Sequence, residues 1–431
     1  MLKSYLRSDA SSVRPLSYKE LKSQCTIIKL QRFHGSRKKI SLLLQQQYDY
    51  IIAGAGCAGL SLLHRMMMHP FFNQKKILLV DKDVKNINDK TWCFWEQQQG
   101  LFEDIVYHRW QQIDFYSNHF SARYDLAPYQ YKMIRSNDFY TAVLDKAKSF
   151  SNIDIVYDEI KTISNNEIYA AITTSNNIYY SNYLFNSIIF NNWKQEALNQ
   201  KNVHVLLQHF KGWLIETETE VLDERIATFM DFRISQEKGT AFMYVLPVAK
   251  NQALIEYTLF SENILNDNEY NNALNHYINK QLKINEYKLL HTESGVIPMT
   301  NYAFSKGEGR IINIGAAGGQ TKGSSGYSFQ FIQKHSAKII EALIKDKSPL
   351  QLSSVFDKRF LLYDSILLNV LKYKKISGDT LFAQLFKNNS PQAVFKFLDN
   401  ETNLKEELKI MNSVSLRAFL PATFKQLMRH L

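Results

Sequence analysis

Only three cysteines, Cys25, Cys57 and Cys93, occur in 431 residues. So sparse and odd a set, without close pairs, excludes a disulfide scaffold and a zinc ribbon and fits a reducing compartment. The eleven histidines are scattered. None forms an H-x-x-x-H or H-E-x-x-H pair, so no metal site is expected. Glycine and proline are scarce, at 16 and 8, which excludes collagen-like and low-complexity chains. No apolar run approaches the roughly 18 residues of a membrane-spanning helix. No G-x-S-x-G element or Cys/His grouping suggests a hydrolase. What remains is globular in composition, 45% hydrophobic and 22% charged, in a chain long enough for roughly two or three domains.

The net charge of +11 is unevenly spread. Residues 1–40 hold ten Lys/Arg against two acids, a balance of +8, which leaves only +3 for the rest. The basicity belongs to an extension over residues 1–44, rich in Ser, Arg and Lys and without the apolar core of a secretory signal. It is expected to be disordered. A segment lying on an anionic membrane surface, or a transit-like leader or upstream start, are the other readings. The body has no basic stripe with interleaved aromatics, so no nucleic-acid partner is expected.

The body opens on YDYIIAGAGCAGLSLLHRM. Tyr48–Ala53 read as a buried strand, Gly54, Gly56 and Gly59 follow in G-x-G-x-x-G spacing, and Leu60, Leu63 and Met67 mark one face of a helix. A second strand, KILLVDKD, ends at Asp81. Such glycines let the backbone approach a pyrophosphate, the helix N-terminus favours its charge, and the acid takes ribose hydroxyls. The fingerprint does not separate FAD from NAD; its place at the head of a long body leans towards FAD. Near residue 310 a similar element recurs in RIINIGAAGGQTKGSSGYSF. A strand leads into Gly315, Gly318, Gly319, Gly323 and Gly326, then a helix from about Tyr327. Two-domain flavoproteins return to their cofactor domain in this way, and the helix N-terminus can favour an anionic reduced flavin. An Asp commonly follows the first glycine of such a loop to hold the ribityl chain; here Ala316 stands there.

Another stretch, ALIEYTLF, sets Glu256 inside an apolar strand. Alternation puts Leu254, Glu256, Thr258 and Phe260 on one face and Ala253, Ile255, Tyr257 and Leu259 on the other. Both faces are mainly apolar, which predicts burial on both sides and a carboxyl held neutral near pH 7. A dry, protonated acid suits proton donation. A paired or edge carboxylate fits the residues equally well.

Four segments, NDKTWCFWE (88–96), AFMYVLPVAKNQALIEYTLFS (241–261), SGVIPM (294–299) and the 315–331 loop, together resemble the FAD-dependent lycopene cyclases of carotenoid biosynthesis, in particular the bacterial β-cyclase branch. The resemblance runs from about Tyr48 to the C-terminus. It implies a flavin-hydroxylase-like fold and a net non-redox reaction. A proton adds to the terminal double bond of lycopene or another linear carotene, a neighbouring double bond attacks the cation, and loss of a proton leaves a β-ring. It implies reduced FAD, with NAD(P)H as reductant. The family's acidic motif, F-L-E-E-T in plants, puts its first acid on Glu256; Tyr257 replaces the second acid and Thr258 matches. Trp92, Phe94, Trp95 and Thr258 become candidates for the substrate pocket, since aromatic faces stabilise cations.

The expected architecture is α/β. It has a Rossmann-type FAD-binding domain over 45–130 and 300–345, a mostly antiparallel substrate domain over 131–299, and a helical region over 346–431. Glu96, a candidate second carboxylate, and the Asp231/Arg233 pair are read mainly as structural, while Lys322 in its glycine loop is equally a solvated lysine or one that reaches cofactor phosphate or substrate space. The last helix carries Leu416, Phe419, Phe424 and Leu427 beside Arg417, Lys425 and Arg429. Such a basic amphipathic face either packs on the body or lies on a membrane. Because lycopene resides in bilayers, the resemblance implies a cytoplasmic protein in peripheral contact with the inner membrane.

Overall fold

A computed structural model describes residues 47–352 and 357–427. The basic extension and Arg429 lie outside the described residues.

The apolar runs at both glycine-rich elements become parallel strands of one sheet. β1 (Gln47–Ala53) pairs in parallel with β2 (Ile77–Asp81) on one side and β11 (Ile178–Asn186) on the other. β8 (Ile153–Tyr157) extends the sheet beyond β2, and β18 (Ile311–Asn313) beyond β11. A short β17 (Gly307–Glu308) closes the far edge. The two glycine turns therefore leave the carboxyl ends of strands in the same sheet, separated by β11 alone. That end of a doubly wound sheet is where ligands bind. Helices Cys57–Met67, Ser136–Lys148 and Phe329–Ile344 cover one face, burying Leu60, Leu63, Phe139, Val143, Ile332 and Ile339.

The strand pairing corrects the expected domain boundary. The expected substrate domain over 131–299 takes in the runs NIDIVYDEI, NEIYAAITT and YYSNYLFNSIIF, yet β8, β9 (Ile160–Asn165), β10 (Ala170–Thr174) and β11 all belong to the sheet of β1 and β18. Their register with β1, β2 and β18 is a tertiary fact that local patterning cannot supply. Conversely β5 (Gln112–Tyr116) and β6 (Ser121–Asp125), expected in the first domain, join the edge of the second sheet. Between the two sheets stands a three-stranded sheet of β3 (Thr91–Glu96), β7 (Gln130–Arg135) and β4 (His108–Trp110).

The second large sheet runs β16 (Lys288–Thr300), β12 (Val205–Glu216), β15 (Gln252–Ser261), β14 (Thr240–Ala249), β13 (Ile226–Asp231), β5, β6. It is antiparallel except where β13 meets β5. As the alternation in ALIEYTLF predicts, both of its faces are covered. Ile255, Tyr257 and Leu259 pack with helix Asp267–Lys280. Leu254 and Phe260 pack with the C-terminal helices through Leu368, Phe386, Val394 and Phe395. No helix among the described residues is long and apolar enough to cross a membrane.

Candidate active site

The first turn has the build of a phosphate cradle. Gly54 has φ +101°, and a side chain there would strike Ser187. At Gly59 a Cβ would stand 1.9 Å from the Gly54 carbonyl oxygen, so only glycine lets the helix pack this close to the strand. At Gly56 a Cβ would meet no atom within 4 Å; the backbone there borders open space. Gly56 is also the N-cap of helix Cys57–Met67, with no capping side chain and no acid in the first turn. Its first N–H groups thus face that space, an arrangement that favours an anion. Asp81, buried at the end of β2, uses its carboxylate to hold the turn. It accepts from the backbone N–H of Ala55 at 2.7 Å and of Asp83 at 3.0 Å, and pairs with Lys85 at 3.1 Å. These features fit a dinucleotide pyrophosphate.

The second loop follows β18. Gly315 and Gly319 are left-handed, at φ +61° and +74°, and Gly318 leaves no room for a Cβ beside the Asn313 carbonyl. Gly326, at φ +73°, abuts Gln208 and lies in the wall of the cavity described next. Lys322 is not a solvated loop lysine. It is buried, ion-paired with Asp364 at 2.9 Å and donating to Asn400 at 2.8 Å. It ties the glycine loop to the C-terminal helices.

Between the sheets lies a cavity of about 100 Å³ lined by Trp92, Tyr131, Tyr244, Glu256, Glu293 and Tyr327, among others. Ser328 and Phe329, at the start of helix Phe329–Ile344, form part of its wall. Glu256 enters from β15. What surface it keeps lies in the cavity, and enclosure by protein pushes its pKa up to about 8, with the charge of Glu293 adding to the rise. Thr258, two residues on and fully buried, donates its hydroxyl to Glu256 Oε1 at 2.6 Å. That bond favours the ionised form and partly offsets the rise. Thr258 thus stands behind Glu256 and is not among the lining residues.

Glu293 was not picked out from the sequence. The segment SGVIPM begins at Ser294, one residue past it. It is buried, its pKa is raised by enclosure to about 7, and it accepts the Thr91 hydroxyl at 2.7 Å. Only strand register shows its relation to Glu256: both lie opposite Gly212 of β12, on the two flanking strands. The tyrosines were missed as well. Tyr244 and Tyr327 hydroxyls meet at 3.3 Å, and burial pushes the Tyr131 and Tyr244 hydroxyls well above their usual pKa.

Of the aromatic triplet in β3, only Trp92 lines the cavity. Phe94 is stacked on Phe329 at 4.3 Å, and Trp95 on Phe395 at 4.4 Å with its indole N–H donating to Asp399 at 2.6 Å. Phe94 packs in the core beneath the nucleotide-type sheet and Trp95 in the core under the C-terminal helices. Glu96 pairs with buried Lys132 at 3.1 Å, and Asp231, which also accepts the Tyr277 hydroxyl at 2.8 Å, pairs with Arg233 at 2.6 Å. Each is a structural ion pair.

The family described as lycopene cyclase protein matches this chain over residues 49–424. The chain belongs to the lycopene cyclase family. No curated protein matches it in a sequence search. Among solved structures it is similar to a geranylgeranyl bacteriochlorophyll reductase-like protein from Thermoplasma acidophilum (TM-score 0.56, 12% identity, covering 90% of this chain and 100% of that chain). It is also similar to a flavoprotein/dehydrogenase from Cytophaga hutchinsonii (0.58, 10%, 89% and 100%). A third is p-nitrophenol 4-monooxygenase from Pseudomonas putida DLL-E4 (0.53, 11%, 85% and 98%). At such identities the likeness is one of fold. It is the fold expected for a cyclase: a Rossmann-type domain, a mostly antiparallel second sheet and a helical C-terminal region.

Proposed function

We propose that this protein is a lycopene β-cyclase that closes the linear ends of carotenes into β-rings without net oxidation or reduction. The observation that carries this reading is Glu256. It is a carboxyl enclosed among apolar and aromatic residues, neutral at pH 7 because its pKa stands near 8, and it forms part of a cavity wall. An acid kept protonated in a dry site is what proton transfer to an alkene needs.

The remaining steps follow from the surrounding residues. The hydroxyl of Thr258 engages Oε1, which leaves Oε2 to carry the proton towards substrate. After transfer the ionised carboxylate stabilises the nearby carbocation. The aromatic rings of Trp92, Tyr131, Tyr244 and Tyr327 in the same wall would each add cation–π stabilisation of about 0.5–2 kcal/mol where a ring faces the cation. Substrate filling the cavity would displace the water that could otherwise capture the cation. Gly54, Gly56 and Gly59, with Gly315, Gly318, Gly319 and Gly326, would hold FAD between the two turns, and Asp81 would support the first turn. Held there in its reduced form, with NAD(P)H as reductant, FAD would supply a further negative charge to the reaction. Exposed Leu404, Leu408, Leu416, Leu420 and Phe424 on the C-terminal helices are the surface we assign to contact with the bilayer that holds the substrate.

The test uses purified protein, lycopene in liposomes and chemically reduced FAD without oxygen, with products resolved by chromatography and mass. Ring-closed product of unchanged mass, lost in Glu256→Gln, is the expected result. Product that has gained oxygen or hydrogen when pyridine nucleotide and air are supplied would make the protein a redox flavoenzyme instead.

A further inference from the structure

We propose that Glu293 is the base that accepts the proton released after ring closure and so fixes where the ring double bond forms. The inference rests on the reading of Glu256 as the acid.

The geometry begins with Gly212. On β12 it faces Glu256 of β15 on one side and Glu293 of β16 on the other. Residues aligned across three antiparallel strands point to the same face, so the two carboxyls stand two strand spacings apart, about 10 Å at the backbone. The central residue has no side chain of its own, and Leu254 Cδ1 reaches over it, 3.1 Å from where a Cβ would stand. A Cβ on Gly212 would lie 3.6 Å from Glu256 Cβ and 3.3 Å from Glu293 Cγ. Both carboxyls line one cavity. Each accepts a threonine hydroxyl, Glu256 from Thr258 behind it at 2.6 Å and Glu293 from Thr91 in the cavity wall at 2.7 Å. One oxygen of each is thereby fixed, and the other is left for the cavity.

The reaction has a use for two such groups. The terminal alkene's electron pair takes the proton of Glu256, breaking its O–H bond and leaving a tertiary cation. A second alkene's pair forms the ring C–C bond and moves the positive charge onto a ring carbon. A C–H pair beside that carbon becomes the new double bond, and its proton forms an O–H bond on Glu293. One proton enters and one leaves, and nothing is oxidised or reduced. The charge coupling favours this order. Two carboxylates enclosed together resist being ionised at once, so the moment Glu256 gives up its proton is the moment Glu293 gains affinity for one. Return of that proton to Glu256 resets the pair.

The experiment compares Glu256→Gln, Glu293→Gln and Glu293→Ala with wild type in the anaerobic liposome assay, with bound flavin measured first for each. Glu293→Gln is expected to go on consuming lycopene at a rate reduced about tenfold. Its β-ring fraction should fall at least as much, in favour of isomers with the double bond elsewhere or water-captured rings. Formate added to Glu293→Ala should restore the β-ring fraction, because a small carboxylate can occupy the vacated space. Unchanged products from both Glu293 variants would overturn the proposal while leaving the cyclase reading intact. So would complete loss of consumption in a flavin-loaded Glu293→Gln, since Glu293 would then belong to the protonation step. Wild type that forms no ring product would remove the cyclase reading and this inference with it.

Discussion

Replacing Glu256 by glutamine preserves shape and the acceptor for Thr258 but removes the titration, and the consequence for stability has a definite sign. Burial raises the folded-state pKa of Glu256 from 4.5 to about 8. Below pH 4.5 the carboxyl is protonated whether the chain is folded or not, and folding suffers no penalty. As pH rises from there to about 8, the unfolded chain ionises while the folded one holds its proton, so stability is progressively lost. Above that the deficit is constant. At about 1.4 kcal/mol per pH unit the full deficit is about 5 kcal/mol. Water in the cavity raises the local dielectric and reduces this, giving an expected range of about 2–5 kcal/mol, a large part of a typical folding free energy. Glu256→Gln should therefore match wild type near pH 4.5–5 and exceed it by about 2–5 kcal/mol near pH 8–9, while losing cyclisation at every pH. Urea unfolding of the two proteins across pH 5–9 measures the difference directly, with Glu293 titrating in both. A stability gap that stays flat across that range would mean that Glu256 is ionised throughout, and the assignment of a neutral acid would fall.

Other outcomes can be checked alongside it. Thr258→Val removes the hydroxyl bond that favours ionised Glu256, so the alkaline limb of the pH–rate profile should move up by about one unit; movement to lower pH would contradict the site. Gly59→Ala forces a methyl against the Gly54 carbonyl, and flavin affinity, followed by fluorescence quenching, should drop at least about tenfold as helix and strand separate. Lys322→Met strands buried Asp364 without its partner, and thermal unfolding should register a loss of about 3–5 kcal/mol. If Lys322→Met instead melts like wild type while weakening flavin binding, the lysine serves phosphate and not the loop.

The order of elements along the chain shows why some of this was legible and some was not. The strand–glycine–helix unit at Tyr48 and the loop after Ile311 could be read directly, because a pyrophosphate turn constrains residues adjacent in sequence. Glu256 stood out because a charge in a strand apolar on both faces violates the local pattern. Phe94 and Trp95 were misplaced as pocket residues, since alternation in β3 says which way a side chain points but not what lies there. The strands from Ile153 to Asn186 read as part of the second sheet for a related reason. Their composition fits any sheet, and only long-range pairing assigns them to β1 and β18.

The two glycine turns, the fold class and one unusual carboxyl are legible in the sequence, because each is written in residues close together or in strict alternation. The tertiary structure alone decided that Glu256 has a counterpart. Glu293 lies 37 positions further along the chain and looks like an ordinary strand acid until β12 brings Gly212 between the two. Register across three strands, and the missing side chain on the middle one, turn two separate glutamates into a coupled pair. Enclosure by β3, β7 and the start of helix Phe329–Ile344 raises the pKa of each, and no local pattern records that burial.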